Sequence, residues 1–151
     1  MKKQQLVFKV GPENSKYTQQ HAIDVPDMGS HKLRIFEMQR TFPTNPPKFN
    51  GVRVTELWTR GFSDYIDESG SGLLYGAYVL ESGDKIFVRS TLVAQKRSGG
   101  SGNSTSVTAG VLTGGTGDFA GIDGTAKSTT LFNPKSGFAE TDFEIEYWME
   151  E

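Results

Sequence analysis

Apolar and polar residues alternate with a period of two along most of this chain, and the 3.6-residue rhythm of an amphipathic helix is almost nowhere present. The stretch QQLVFKV predicts a short first strand, and HAIDV is a candidate second. From Lys32, KLRIFEMQRTF puts Leu33, Ile35, Glu37 and Gln39 on one face and Arg34, Phe36, Met38 and Arg40 on the other. PTNPPKFNG then interrupts the pattern, because prolines at 43, 46 and 47 cannot sit in a central ladder. A long strand is predicted from Val52 to about Ile66, closed by the turn DESGSG. LLYGAYVLE, the tight turn SGD and KIFVRSTLVAQ read as a hairpin, followed by a flexible low-complexity loop over 96–106. VTAGVLTGG, IDGTAKSTTLF and, after the turn NPKSG, FAETDFEIEYWM supply the remaining strands. About eight strands joined mostly by short turns predict a single all-β domain over 1–151, a closed antiparallel eight-stranded barrel, since closure removes exposed edges.

Composition fits that pattern. The 18 glycines, with 10 Phe, 5 Tyr and 2 Trp set mostly among β-branched residues, belong to an all-β chain. A net charge of −2 with both signs interspersed offers no electrostatic footprint for nucleic acid or an anionic membrane. Cysteine is absent, which removes disulfides, thiolate metal sites and cysteine nucleophiles together. The apolar run near the N-terminus is too short for a signal peptide and no stretch reaches transmembrane length. The expectation is a soluble protein without membrane insertion, cytoplasmic or secreted with a leader removed.

The candidate chemistry starts at TGGTGDFAGIDG, residues 113–124, where Gly-Thr-Gly-Asp-Phe-Ala from Gly115 fits a loose dinucleotide fingerprint. That motif needs a helix after its glycines, and GIDGTAKSTTLF offers Gly, Thr and Ser leading to a proline turn. The glycines therefore read as a strand-to-strand turn with a bulge, with Phe119 and Ile122 plugging the barrel end. No cofactor is implied. His21 and His31 stand alone without the clustered ligands of a metal site, and no Gly-x-Ser-x-Gly elbow exists. Glu140, Asp142, Glu144 and Glu146 alternate on one face, opposite core residues, and read as a solvated face.

TGGTGDFAGIDGTAKSTTLFNP resembles the C-terminal signature of the allene oxide cyclase barrel family, and its Gly-Gly-Thr-Gly turn is shared in shorter form by dirigent proteins. The resemblance is strongest over 73–134 and extends more weakly upstream through RGFSDYID and IFEMQRTFPTNP. It implies a small calycin-like barrel with an apolar lumen that often trimerises. It also implies that Glu37 and Gln39 are catalytic, with Asn45 and Pro46 beside a positioned water and Ser63 beside the substrate. The family has Asn where this chain has Gln39, Ser where it has Asn45 and Cys where it has Ser63, so the plant reaction on a fatty-acid allene oxide does not carry over.

Parity tests this independently. If Leu33 and Ile35 face the lumen, Glu37 and Gln39 do too, and a desolvated Glu37 would have a raised pKa suited to moving a proton. The alternative is that this face is exterior and Glu37 pairs with a neighbouring arginine. If Ser63 faces the lumen, Glu56, Trp58 and Arg60 point outward as a surface ion pair or an interface. Leu74, Gly76, Tyr78 and Leu80, with Val88, Ser90 and Leu92, would line an apolar pocket or fill a core. The functional expectation is a cofactor-free cyclase or isomerase holding a small hydrophobic substrate, with Leu74, Tyr78 and Leu92 as binding residues. Alternatives are a lipocalin-like binder, or a dirigent-like homo-oligomer, dimer or trimer, whose outward aromatics include Phe36, Met38, Trp58 and Phe62.

Overall fold

The structure, a computed structural model, describes residues 2–96, 103–133 and 138–149. Among them are ten strands: β1 (Gln4–Val10), β2 (Ser15–Asp24), β3 (His31–Thr41), β4 (Lys48–Phe49), β5 (Val52–Ile66), β6 (Ser69–Leu80), β7 (Lys85–Lys96), β8 (Ser104–Gly115), β9 (Ile122–Asn133) and β10 (Phe138–Met149). They form one antiparallel sheet in the order β1-β10-β9-β8-β7-β6-β5-β3-β2, with β4 paired to the start of β5. The all-β prediction holds. The expected closed eight-stranded barrel does not, because the sheet has ten strands and two free edges.

Those edges are β1 and β2, consecutive in sequence yet at opposite ends of the strand order. Residues 11–14 join them through a 3-10 turn at Pro12–Asn14, so Val10 and Ser15 lie less than about 18 Å apart and the sheet must roll round to bring its edges together. No ladder bridges the seam among the described residues. Strand β2, SKYTQQHAID, is polar and exposed over nearly its whole length, which gives it little to bury and makes it a protected edge.

The stretch 43–51 is broken by prolines as expected, but Asn50 and Gly51, at φ 48° and 80°, close a two-residue hairpin between β4 and β5. That hairpin drives Phe49, fully buried, into the end of the roll, where its ring meets those of Tyr78, Phe119 and Tyr147 at 5.4, 6.4 and 5.1 Å. Phe119 and Ile122, each 2% exposed, plug this end as predicted, and the glycine-rich turn carries only one 3-10 turn, Gly117–Phe119. Most of the loop predicted over 96–106 and the turn before β10 lie outside the described residues.

Candidate functional site

Cross-strand partners share a face, so strand pairing decides what points inward. The row Arg40, Leu57, Tyr78, Ile86 faces the interior, its last three members at most 3% exposed. The next inward row is Met38, Thr59, Gly76, Val88 and Leu112, and the third begins Phe36, Gly61, Leu74, Ser90 and continues through Gly110 and Ala126. A fourth begins Arg34, Ser63, Gly72, Leu92 and continues through Thr108 and Ser128 to Phe143. Phe49, Phe119, Leu80 and Ile86 thus plug one end of the interior. Away from that plug the walls carry buried hydroxyls, with Ser63, Ser90, Thr108, Ser128 and Thr141 all below 10% exposed. Thr108 bonds Ser128 at 2.5 Å and Thr130 bonds Thr141 at 2.8 Å.

Two arginines share this interior. Arg40 on β3 reaches across the seam, its guanidinium carbon 5.4 Å from the centroid of the Phe143 ring on β10. Phe8 stacks on Phe143 at 4.7 Å and meets Tyr78 edge-on at 6.3 Å, which completes an aromatic wall. Arg40 Nη1 donates one long bond, 3.4 Å, to Thr59 Oγ1, while Nε is shut off from solvent with no partner. Desolvation lowers the Arg40 pKa from its ordinary value, opposed by the nearby Tyr78 and Tyr17 hydroxyls, and burial pushes the Tyr78 phenol up. Arg34 lies over the rings of Phe36 and Tyr17 at 4.7 and 5.2 Å and donates to Gln20 Oε1 at 3.0 Å. Neither arginine has a carboxylate partner among the described residues.

The expected site residues divide into two sets. Ser63, Tyr78 and Leu92, at 2%, 3% and 6% exposure, and Leu74, whose Cδ2 lies over Gly61, are brought together inside. Glu37 and Gln39 are on the outer face with Leu33 and Ile35, so of the two arrangements open from the sequence it is the exterior one that is found, and the catalytic placement of Glu37 and Gln39 in the lumen is corrected; Ile35 is 59% exposed. Phe36 and Met38 correspondingly point inward, not to an outer interface. Glu37 accepts from Thr18 Oγ1 and Arg60 Nε, both at 2.7 Å, and these bonds, Thr18 first, hold its pKa below the usual carboxylate value. This is an ionised surface carboxylate, the opposite of a desolvated proton shuttle. Gln39 donates to Glu56 at 3.2 Å, and Glu56, Trp58 and Arg60 point outward, as a lumen-facing Ser63 requires.

Asn45 and Pro46 sit elsewhere again, lining an open surface depression of about 480 Å³ with Pro43, Lys48 and Arg53. The acidic run on β10 faces outward and meets lysines in and just before β1, with Lys9 3.2 Å from Glu140 and Lys3 3.5 Å from Glu146. His31 is clamped between Asp27 and Asp64 at 2.7 and 2.6 Å, while His21 is exposed. Among the described residues no three His, Cys, Asp or Glu side chains gather as a metal site, and no helix is long and apolar enough to cross a membrane. Sequence reading placed Phe143 on the core face of its strand but missed Arg40, Arg34 and Phe8 as interior residues. The usable signal was Phe36, which packs over Gly61 as a bulky ring fits over a residue with no side chain.

No family model matches the chain, and no curated protein matches it. Among solved structures it is similar to a pterocarpan synthase dirigent protein, at 13% identity and a TM-score of 0.51, over 100% of this chain and 89% of that one. At that identity the likeness concerns fold alone: the chain has a dirigent-like all-β fold, and the allene oxide cyclase side of the resemblance gains no support from it.

Proposed function

We infer that the interior binds one small molecule that has an apolar or aromatic body and a carboxylate or phenolate oxygen, anchored by Arg40. The observation that carries this reading is the buried, unpartnered Nε of Arg40. A charged group out of water is costly unless it is paired, and a ligand oxyanion supplies the missing acceptor. The rings of Phe8, Phe143 and Tyr78 and the hydroxyl band are suited to the rest of such a molecule. A ligand so held has few conformers, which is the positional part of a cyclisation, so dirigent-type guidance of a reacting molecule is a natural extension.

The test compares anilinonaphthalene sulfonate with its neutral parent phenylnaphthylamine by fluorescence titration. The sulfonate should bind at least about tenfold more tightly, the scale of one charge-assisted hydrogen bond. Arg40→Gln should remove that advantage and spare the neutral dye, while Glu37→Gln should change neither. Equal affinity of the two dyes for the native protein overturns the reading, and loss of binding in Glu37→Gln returns the site to the outer face.

A second reading has its own observation. Ile35, Phe62 and Leu73 are adjacent on β3, β5 and β6, point outward and are 59%, 42% and 39% exposed, a patch suited to self-association as a dimer or trimer. Sedimentation of native protein against Phe62→Glu tests it; a monomer in both refutes it.

A further inference from the structure

The depression outside the plugged end has a composition that its fold does not need. Lys48 and Arg53 are direct cross-strand partners in the β4–β5 hairpin, so their side chains lie next to each other on one face. Like charges directly opposite destabilise a ladder, and here no carboxylate lies within salt-bridge distance of either, nor is the Asn45 amide hydrogen-bonded among the described residues. The frame around them is rigid. Phe49, between the two cations and the core, is fully buried, Val54 N–H donates to Pro47 O and Glu81 N–H donates to Arg53 O, both at 2.9 Å. Pro43 and Pro46 form fixed walls, and Asn45 is held in the left-handed region at φ 47°.

We propose that this depression binds a tetrahedral oxyanion, a phosphate or sulfate group, between Lys48 and Arg53. Two adjacent cations match the two negative charges of a phosphate monoester and exceed the single charge of a sulfate ester, the arginine fork engages two oxygens while the lysine supplies a point charge, and the Asn45 amide is a further donor at the rim. The proline walls give apolar contact to whatever carries the group, so an ester binds more tightly than the free ion. This site lies on the outer face, separate from the interior that Arg40 serves, and each stands or falls alone.

The experiment is an amide NMR titration with phenyl phosphate, phenyl sulfate and inorganic phosphate at constant ionic strength, with chloride as the control. Saturable shifts at Asn45, Lys48 and Arg53 and their neighbours are expected in the native protein and in Arg40→Gln alike, with dissociation constants on the order of 1 mM for phenyl phosphate, whereas any interior shifts caused by these aromatic oxyanions should vanish in Arg40→Gln. Lys48→Gln and Arg53→Gln should each weaken binding by about tenfold, and Arg40→Gln should leave it unchanged. Tighter binding of phenyl phosphate than of inorganic phosphate identifies an ester as the occupant, and the reverse order identifies the free ion. Shifts spread over all exposed lysines, no saturation by about 30 mM, or binding indifferent to both substitutions overturns the proposal.

Discussion

Replacing Arg40 by Met should make the protein more stable while it destroys the anion preference of the interior. The Arg40 stem lies among the core-facing side chains of β3 and β5, and Met fills a similar volume without a charge. What is lost is one 3.4 Å bond to Thr59 and a ring contact with Phe143 at 5.4 Å, together worth about 1 kcal/mol. What is removed is the desolvation penalty of a guanidinium whose Nε has no partner, about 1–3 kcal/mol, and the new methylene and thioether bury additional apolar surface. The net expectation is a gain of about 1–2 kcal/mol, visible as a higher urea midpoint at unchanged m-value and a thermal midpoint raised by about 2–6 °C. A stable variant that no longer prefers the sulfonate dye is the signature of a residue kept for binding at a cost in stability. If Arg40→Met instead loses more than about 1 kcal/mol, the guanidinium is a structural member of the core and the reasoning is wrong.

Three further outcomes follow from contacts already described. Gly61→Ala should lose about 1–3 kcal/mol in chemical denaturation, because an added Cβ would lie 2.5 Å from Leu74 Cδ2 and 2.7 Å from Phe36 Cζ; a neutral result means the interior is looser than these distances say. Phe49→Ala should lose about 3–5 kcal/mol by leaving a cavity at the plugged end between Tyr78, Phe119 and Tyr147, again read from the urea midpoint. His31 has its pKa raised, first by the bond to Asp27 and then by that to Asp64, so the protonated form is favoured in the folded state. Its stabilisation should be complete below about pH 6.5 and fade as pH rises through the higher folded value, a slope that His31→Asn should abolish and that a pH series of midpoints would reveal.

Strand positions were legible because period-two alternation is clean in β10 and survives even where both faces are partly apolar, as in β3 and β5. Facing was harder to read. On β3, Leu33 and Ile35 look like core, but they are exterior, and Ile35 joins Phe62 and Leu73 in an exposed patch; alternation alone does not choose between two faces that both carry apolar residues. On β5 the pairing skips a residue between Val54 and Glu56, so Val54 and Leu57 both point inward and Thr55 is extra; an inserted residue breaks any parity counted through it. A similar shift beside Thr18 places its hydroxyl on Glu37, which is why that carboxylate has two strong partners. The number of strands was missed for another reason. Prolines at 43, 46 and 47 hid the Asn50–Gly51 hairpin, and the polarity of β2 hid its first half, residues 15–20, leaving only HAIDV as a candidate strand.

The free seam and the candidate site are linked. In a fully closed barrel every strand has two neighbours in register, and an inward arginine on β3 would meet only the side chains of its own layers. Here β2 covers β3 from one side while β1 stacks Phe8 against Phe143 on the other, and Arg40 spans the gap between them to lie over Phe143. A hydrogen-bonded ladder between β1 and β2 would fix that gap; without one, the two edges can separate by small amounts at little cost in backbone hydrogen bonds. The cation therefore sits where the wall is most adjustable, next to the rings that would receive an aromatic ligand, whereas the opposite end is sealed by Phe49, Phe119 and Ile122. A rigid apolar base and an adjustable charged flank suit the proposed binding interior, and packing alone does not call for the second.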